Sequence, residues 1–166
     1  MIRIFQHGDH IEIAEIFFRA IHEIGSEAYN KEQCLAWSDR IPDYEHWKSR
    51  CELKKPFVST EKREITGFLE LDSNGHIDCA YIKPEFKRRG IMTKLVEHAI
   101  QTCFENKLDK VVVEASICAK PLFEKLGFTV MEDCLVDIKG VKLRNYKMEF
   151  LKKHPAKFSR ANTPCL

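Results

Sequence analysis

The chain has 166 residues, of which 44% are hydrophobic, which is enough for one domain with one well-packed core. Lysine and arginine number 27 against 25 acidic residues, a net charge of +2, so the overall charge does not indicate nucleic acid or an anionic membrane as a partner, and any anion site must be local. No segment resembles a signal peptide or reaches the run of about 20 apolar residues that a membrane span needs.

The first third of the chain is predicted to be mainly helical. Residues 1–5 alternate apolar and polar side chains, as a strand does, and residues 10–24 repeat isoleucine and alanine at helical spacing. Asn30 can cap a second helix, and a third short helix is expected after Pro42.

Three short β-prone segments follow, over 57–60, 65–71 and 76–82. The last two are separated by Asp-Ser-Asn-Gly at 72–75, a sequence typical of a turn. These segments are therefore predicted to be consecutive antiparallel strands.

The second half is predicted to contain a strand–helix–strand unit and a closing hairpin. Its elements are a helix over 90–106, a strand over 110–114, a short helix over 121–126 closed by Gly127, and hairpin strands over 128–138 and 141–150. The fold class is α+β with a mixed sheet, and the domain is expected to span 1–150. The remaining residues, 151–166, are basic and contain proline without periodicity, so a flexible tail is expected.

The most informative segment is a basic turn, Lys87-Arg88-Arg89-Gly90, between a strand and the long helix. A helix N-terminus has unpaired N–H groups and a partial positive charge, and Gly90 lets the backbone approach a phosphate closely. The three cations add charge at the same place, and guanidinium groups bind phosphate through paired hydrogen bonds. The turn therefore predicts a pyrophosphate site, although a solvated basic turn that merely caps the helix would have the same sequence.

With these motifs in this order, the sequence resembles the GNAT acetyltransferase superfamily and, within it, the YafP-like bacterial acetyltransferases. Residues 87–92 match the superfamily signature Gln/Arg-x-x-Gly-x-Gly/Ala, with Lys87 at its first position and Met92 at its last. The likeness, over about residues 1–150, continues through Gly67-Phe-Leu-Glu-Leu-Asp, Gly75-His-Ile-Asp, Val113-Glu-Ala-Ser and Ala119-Lys-Pro-Leu-Phe-Glu-Lys-Leu-Gly-Phe. The resemblance implies a GNAT fold: a mixed central sheet of about six or seven strands, flanked by helices, with a V-shaped splay between the central strands.

The resemblance also implies acetyl-CoA as co-substrate, without a metal. The backbone of Tyr81, Ile82 and Lys83 would pair with the pantetheine arm as with an added strand. The pyrophosphate would lie against the basic turn and the start of the helix: Lys87, Arg88, Arg89, Gly90, Ile91, Met92 and Thr93. Ser116, Ala119 and Phe123 would line the thiol end, although each could instead be a packing residue.

Acetyl transfer to an amine needs a neutral nitrogen, a stabilised oxyanion and a proton for the departing thiolate. Glu70 and Asp78, on adjacent central strands, are the candidate general bases, although carboxylates near a turn are often simply solvated. The superfamily often has a tyrosine as general acid at the position of Phe123, which cannot donate a proton. Tyr146 or water would then serve.

Trp37 and Tyr44 lie in the helical front segment, which resembles the part of the superfamily that covers the acceptor site. Together with His76, they are expected to shape a pocket for an aromatic or cationic acceptor. His76 also has the ordinary pKa of a base near neutral pH. Core packing is the alternative for Trp37.

The expected function is acetyl-CoA-dependent N-acetyl transfer to a small-molecule or peptide amine by direct attack in a ternary complex. The alternative is a catalytically impaired CoA-binding module with a regulatory or sensing role, because Phe123 and Met92 depart from the family pattern. Base-stacking aromatic residues are not interleaved with the cations, so nucleic-acid binding is not expected. The seven scattered cysteines indicate neither a disulfide framework nor a zinc site, and a cytoplasmic monomer or homodimer without membrane contact is expected.

Overall fold

A computed structural model of the protein describes residues 1–152, which form a mixed sheet with helices on both faces. The front third contains strand β1 (Ile2–Ile4) and helices α1 (His10–Arg19), α2 (Lys31–Trp37) and α3 (Tyr44–Lys54). Asn30 caps α2 as predicted: its side chain accepts a 2.9 Å hydrogen bond from the Gln33 N–H, and the Gln33 side chain accepts one from the Asn30 N–H.

The first predicted helix, over 10–24, changes type before it ends. Its α-helical part stops at Arg19, and the chain continues as a π-helical turn over Ala20–Ile24 and a 3₁₀ turn over Gly25–Glu27. The α-helical and π-helical parts both bury apolar residues, among them Ile13 and Ile21, so the apolar pattern predicts a helical segment without distinguishing its turn type.

The remaining elements follow the predicted order. They are β2 (Phe57–Glu61), β3 (Glu64–Leu71), β4 (His76–Ile82), α4 (Ile91–Glu105), β5 (Lys110–Ser116), α5 (Lys120–Lys125), β6 (Thr129–Ile138) and β7 (Val141–Leu151). The sheet has seven strands in the order β1-β2-β3-β4-β5-β7-β6, and its central β4–β5 pair is parallel whereas its other neighbours are antiparallel. The α+β prediction with a mixed sheet is confirmed.

The two central strands part soon after they meet. Within the described chain, β4 and β5 pair at His76 with Val112 and at Ile77 with Val113, and beyond these residues they no longer pair with each other. In the β3–β4 register, Cys79 lies opposite Glu70 and Ile77 lies opposite Leu71, so Asp78 is an extra residue. A bulge of this kind bends a strand and increases its twist, which turns β4 away from β5 and opens the predicted V-shaped splay.

The turn before β4 fixes the start of the splay. Gly75 has φ +87°, and a Cβ there would lie 2.7 Å from the Lys110 carbonyl oxygen. Its own carbonyl accepts a 3.0 Å hydrogen bond from the Val112 N–H. Only glycine combines this backbone conformation with such a close approach of β5.

Each face of the sheet has its own helices and core. On one face, α4 and α5 pack over a core that includes Leu69, Val111 and Met148. On the other, α1 and α3 pack over Phe68, with Trp47 and Ile13 buried beside it. The splay therefore opens between two helical layers.

The described residues contain no helix that is both long and apolar enough to cross a membrane. Strand β7 continues to Leu151, one residue beyond the predicted domain boundary, and the Lys152 N–H donates to the Asp109 carbonyl at 2.8 Å. The rest of the predicted flexible tail, from residue 153 onwards, lies outside the described residues.

Candidate active site

The N-terminus of α4 is open towards the splay. Gly90 is its N-cap, with φ 74°, and the first intrahelical bond runs from the Lys94 N–H to the Gly90 carbonyl at 3.2 Å. The N–H groups of Ile91, Met92 and Thr93 consequently have no acceptor within the helix. A Cβ placed on Gly90 would meet no heavy atom within 4 Å, so an anion can reach these N–H groups.

Of the three cations of this turn, Arg88 and Arg89 are exposed and Lys87 is partly buried. Arg88 has φ 63°, so it shares the left-handed conformation of Gly90, and such turns create concave sets of N–H groups that bind anions. Lys87 forms an ion pair with Glu27, and Arg89 lies 3.2 Å from Glu61 with its side chain 50% exposed. Exposed ion pairs are weak, so a phosphate can replace these carboxylates.

Met92 is accommodated by the core beneath the turn. Its side chain and that of Ile91 pack against the cluster formed by α4 and the sheet. Because the methionine has apolar neighbours, its bulk is compatible with the helix start despite the small residue usual at this position.

The edge of β4 that faces the splay offers unpaired backbone groups. The Lys83 N–H donates to the Thr66 carbonyl at 2.9 Å, and the Lys83 carbonyl accepts from the Phe86 N–H at 2.9 Å. In an antiparallel pair the hydrogen-bonding direction alternates along the strand, so Tyr81 also faces β3 whereas Ala80 and Ile82 face the splay. Of the three residues predicted to pair with pantetheine, Ile82 therefore has its backbone groups towards the splay, whereas those of Tyr81 and Lys83 face β3.

The residues predicted at the thiol end differ in their surroundings. Ser116 faces a cavity, and its hydroxyl accepts a hydrogen bond from the Ala119 N–H at 3.2 Å. Ala119 is the N-cap of α5 and packs against the core. Phe123 is 1% exposed and packs edge-on against Phe128, with ring centroids 5.0 Å apart, so its side chain belongs to the core.

The predicted general acid, Tyr146, lies on the α5 side of the sheet. It is opposite Ala115 on β5, packs against the core, and has the Lys120 ammonium 4.9 Å from its ring. It is not among the residues that line the cavity on the other face.

On the face covered by α1 and α2, the splay opens into a cavity of about 280 Å³. Its wall combines aromatic rings with polar oxygen atoms: Phe17, Tyr29, Trp37 and Tyr81, with Asp78, Glu114, Ser116 and Asn145. Burial raises the pKa of Tyr81 well above its ordinary value, so its hydroxyl stays protonated. A larger groove of about 560 Å³ lies along α4, but it is lined mainly by apolar residues and lies away from the splay, so we assign the chemistry to the smaller cavity.

The residues predicted to contact the acceptor do not all reach this cavity. Trp37 does, and its ring meets that of Tyr81 at 6.4 Å between centroids. Tyr44 instead donates a hydrogen bond to Glu15 at 3.1 Å, between α3 and α1. His76 lies at the start of β4, where one ring nitrogen contacts Glu114 and the other lies 3.4 Å from Asp72.

The two predicted bases are held by cations from α3. Arg50 donates to both oxygens of Glu70, at 2.9 Å from Nε and 2.6 Å from Nη2, and Glu70 is 0% exposed. Arg50 also donates to Asp78 at 2.7 Å, and Lys54 donates to Asp78 at 3.0 Å and to Asp72 at 2.6 Å. We call these five residues the α3 clamp.

The α3 clamp sets the charge state of its members. Burial alone would raise the pKa of Asp78, but the hydrogen bonds and charges of Lys54 and Arg50 outweigh it and hold the pKa below its ordinary value. Burial would lower the pKa of Arg50, but Glu70 and Asp78 together hold it above its ordinary value. Asp78 is therefore a stable anion in the cavity wall and a weak proton acceptor.

The predicted sites did not include several residues of the cavity wall, among them the polar residues Tyr29, Glu114, Arg144 and Asn145. The signal for Glu114 is the alternation along β5, where Val113 and Ala115 are buried in the α4 core, so Glu114 and Ser116 face the other way. Asn145 lies opposite Ser116 on β7. The Tyr29 hydroxyl donates to the Arg144 carbonyl at 2.6 Å and accepts from the Ile117 N–H at 2.9 Å, which fixes the end of β5.

Within residues 1–152, no group of three or more histidine, cysteine, aspartate or glutamate side chains is placed to hold a metal ion.

A splayed mixed sheet, an open helix N-terminus and a carboxylate-lined cavity are thus combined in one domain. The family described as the acetyltransferase (GNAT) domain matches residues 26–150. The chain therefore belongs to the GNAT acetyltransferases.

Relatives and solved structures agree with this assignment. The chain is 31% identical over 153 residues to the N-acetyltransferase YafP of Escherichia coli K12, covering 92% of this chain and 97% of YafP. A GCN5-related N-acetyltransferase from Rhodopseudomonas palustris superposes with a TM-score of 0.85 at 25% identity, covering 91% and 94% of the two chains. YncA from Salmonella typhimurium, solved with its cofactor acetyl-CoA, shares the fold with a TM-score of 0.69 at 20% identity and covers 97% and 98%.

Proposed function

We propose that this protein transfers the acetyl group of acetyl-CoA to the nitrogen of an amine by direct attack in a ternary complex. The observation that carries the proposal is the splay itself. It connects the open N-terminus of α4 on one side with a cavity lined by carboxylates and aromatic rings on the other. A thioester entering from one side would thus meet an amine entering from the other.

The residues for holding acetyl-CoA fit a pyrophosphate and an extended arm. The N–H groups of Ile91, Met92 and Thr93 would bind the pyrophosphate oxygens, with Arg88 and Arg89 adding charge. The unpaired carbonyl of Ile82 would accept a hydrogen bond from the arm, which leaves the Ile82 N–H for the thioester oxygen. When bound, acetyl-CoA supplies an activated acetyl group and a good leaving group.

An amine that is protonated in water suits the cavity on the other face. The carboxylates of Asp78 and Glu114 would attract an ammonium, and the faces of Trp37 and Tyr81 would contact its cationic or aromatic parts. A small amine or the side chain of a peptide would present the same group.

Catalysis would require the ammonium to lose a proton before it attacks. The neutral nitrogen then forms a bond to the thioester carbon, and the carbonyl oxygen takes the electron pair. An N–H group on the open edge of β4, that of Ile82, is suited to stabilise this oxyanion. Collapse breaks the C–S bond, and the thiolate takes a proton as it leaves.

Calorimetric titration with acetyl-CoA tests the phosphate site. The Gly90→Glu substitution places a negative charge and a strained side chain where the phosphates would lie. We expect the affinity for acetyl-CoA to fall at least about 100-fold, because the free energy of two charge-assisted hydrogen bonds would be lost. Gly140→Glu is the matched control, because Gly140 also has a positive φ, 81°, and open space but lies in the β6–β7 hairpin. Equal affinity in both variants would contradict the phosphate assignment.

Thiol release with a panel of primary amines tests the transfer. Release that depends on both acetyl-CoA and amine supports the acetyltransferase proposal. Tight binding of acetyl-CoA without thiol release from any amine would favour the CoA-binding module instead.

A further inference from the structure

The proton acceptor for the proposed reaction is not identified by the α3 clamp, because its carboxylates are already bonded to cations. Glu70 is fully buried and takes three hydrogen bonds from Arg50, and Asp78 takes one each from Arg50 and Lys54. The cations hold the pKa of Asp78 below its ordinary value, so Asp78 binds a further proton poorly.

Glu114 is the carboxylate in the cavity wall that forms no ion pair with lysine or arginine within the described residues, and its one ion-pair partner there is His76. Lys147 lies directly opposite Glu114 on β7 and adds a positive charge on the same face. The Glu114 side chain is 42% exposed and is bonded to His76, a group whose charge varies near neutral pH. This bond joins β5 to β4 at the base of the splay, where His76 lies opposite Val112. The pair is therefore placed where an incoming amine would meet the thioester.

Asn145 adds an unsatisfied acceptor beside this pair. Its Oδ1 atom is buried and has no hydrogen-bond partner in the described protein, although Asn145 lines the cavity. An unpaired buried oxygen is unfavourable by about 1–3 kcal/mol, so a ligand that carries N–H donors would be bound preferentially. The register places Asn145 opposite Ser116, and therefore diagonal to Glu114 on the same face, at about 7 Å.

We propose that Glu114 removes the proton from the acceptor's ammonium, that His76 holds Glu114 in position and takes up the charge, and that Asn145 binds a second N–H of the same ammonium. The inference rests on the proposed acetyl transfer and assigns its general base. Glu114 is the catalytic residue, since it touches the substrate, and His76 is a positioning residue that acts through it.

The proton balance requires the His76–Glu114 pair to be able to accept one proton from the ammonium. In the reactive state His76 is neutral and Glu114 is ionised; one proton from the ammonium converts the pair to imidazolium and carboxylate. A second nitrogen proton leaves after C–N bond formation and neutralises the thiolate. The pair then returns its proton to solvent, so the overall reaction converts an ammonium and a thioester into an amide, a thiol and one proton.

The surroundings of His76 determine the pH range of this state. Burial lowers its pKa, but the Glu114 hydrogen bond and charge, together with Asp72 and the charge of Asp78, raise it above its ordinary 6.5. Lys54 lies beyond Asp72 and Asp78 and is bonded to both. The rate should therefore fall as pH decreases through this raised pKa, because the pair is then already protonated.

The test compares wild type with Glu114→Gln and His76→Gln, and uses Glu97→Gln, an exposed position on α4, as matched control. The rate of thiol release with acetyl-CoA and 2-phenylethylamine is measured from pH 5.5 to 9. We expect kcat/KM to fall about 100-fold or more in Glu114→Gln, as for loss of a general base, and to be unchanged in Glu97→Gln. In His76→Gln the acidic limb of the profile should disappear, which a merely structural effect would not produce.

A second readout does not depend on catalysis. The titration of the His76 ring is followed by NMR, and its signal is assigned with His76→Gln. In Glu114→Gln the titration should move to lower pH, because the Glu114 charge that raises the pKa of His76 is lost. If the wild type is active and Glu114→Gln keeps that activity, the assignment of Glu114 as general base is overturned. A pH profile that His76→Gln leaves unchanged would overturn the role of His76. Neither result would contradict the proposed acetyl transfer. A wild type that binds acetyl-CoA yet releases no thiol with any amine of the panel would overturn the proposed function, and the assignment with it.

Discussion

The two strands that part at the splay have carboxylates in opposite circumstances. On the β4 side, Asp78 and the neighbouring Glu70 are fixed by Arg50 and Lys54. On the β5 side, Glu114 is bonded to His76 and remains partly exposed. The same functional group is structural on one strand and available to a ligand on the other.

This contrast shows that the role of a carboxylate follows from its hydrogen-bond and ion-pair partners rather than from its residue type. A buried carboxylate with a bidentate arginine partner stabilises the packing of α3 on the sheet. A carboxylate with a titratable partner can exchange protons. The following variants are designed to break or sharpen this distinction.

Arg50→Met should have the largest effect, on stability. It leaves Glu70 buried without a partner, and removal of one partner of a buried ion pair destabilises a protein by about 3–5 kcal/mol. The free energy of unfolding in urea measures the loss. Lys139→Met, which breaks an exposed pair with Asp39, is the control and should change this free energy by at most about 1 kcal/mol.

The double variant Arg50→Met with Glu70→Leu separates charge from packing. If the α3 clamp acts by satisfying a buried charge, removing both members should restore much of the stability lost in Arg50→Met. A double variant as unstable as the single one would show that the arginine stem, rather than its charge, holds α3.

Asn145→Val should have an intermediate effect, and on function rather than stability. Because Oδ1 has no partner, its loss should leave the free energy of unfolding unchanged or raise it by about 1 kcal/mol. The KM for the amine should rise about tenfold, the equivalent of one hydrogen bond. Thr129→Val, at an exposed position of β6, is the control for introducing a valine into a strand. If Asn145→Val instead lowers the free energy of unfolding, Asn145 stabilises the fold rather than binding the amine.

Glu27→Gln should have the smallest effect, at the phosphate turn. Glu27 competes with phosphate for Lys87, and the Lys87 hydrogen bond lowers the pKa of Glu27, so it is ionised near neutral pH. Removing its charge should raise the affinity for acetyl-CoA by at most about fivefold, and less in high salt. Calorimetry with Glu32→Gln, an exposed α2 position, as control measures the difference; a weaker affinity would indicate that Glu27 positions Lys87 for binding.

Features with local signals were predictable from the sequence. The Asn30 cap, the turn over 72–75 and the glycine at the start of α4 depend on residues close together in the chain, and the structure has all three. The alternation of β5 contained enough information to place Glu114 on the cavity side, but the prediction of a strand over 110–114 did not assign its two faces.

Features that depend on distant pairing were not predictable. The bulge at Asp78 follows from its register with β3, and the fixation of Glu70 depends on Arg50, 20 residues earlier in the chain. The wall formed by Asn145 requires β7 to insert between β5 and β6 in the sheet. No local periodicity encodes such neighbours, so carboxylates that look equivalent in the sequence differ in their bonding.

The short pairing between β4 and β5 also bears on how the protein avoids aggregation. An unpaired strand edge normally invites pairing with another chain, and most proteins cover or charge such edges. Here the exposed edges face each other inside a narrowing cleft, with α1 and α3 on one face and α4 and α5 on the other. A β-strand of another molecule carries side chains on both faces and would need room in both helical layers, whereas an unbranched chain would need less. The interior edges therefore favour slender ligands, and the surrounding helices shield these two edges from pairing with another chain.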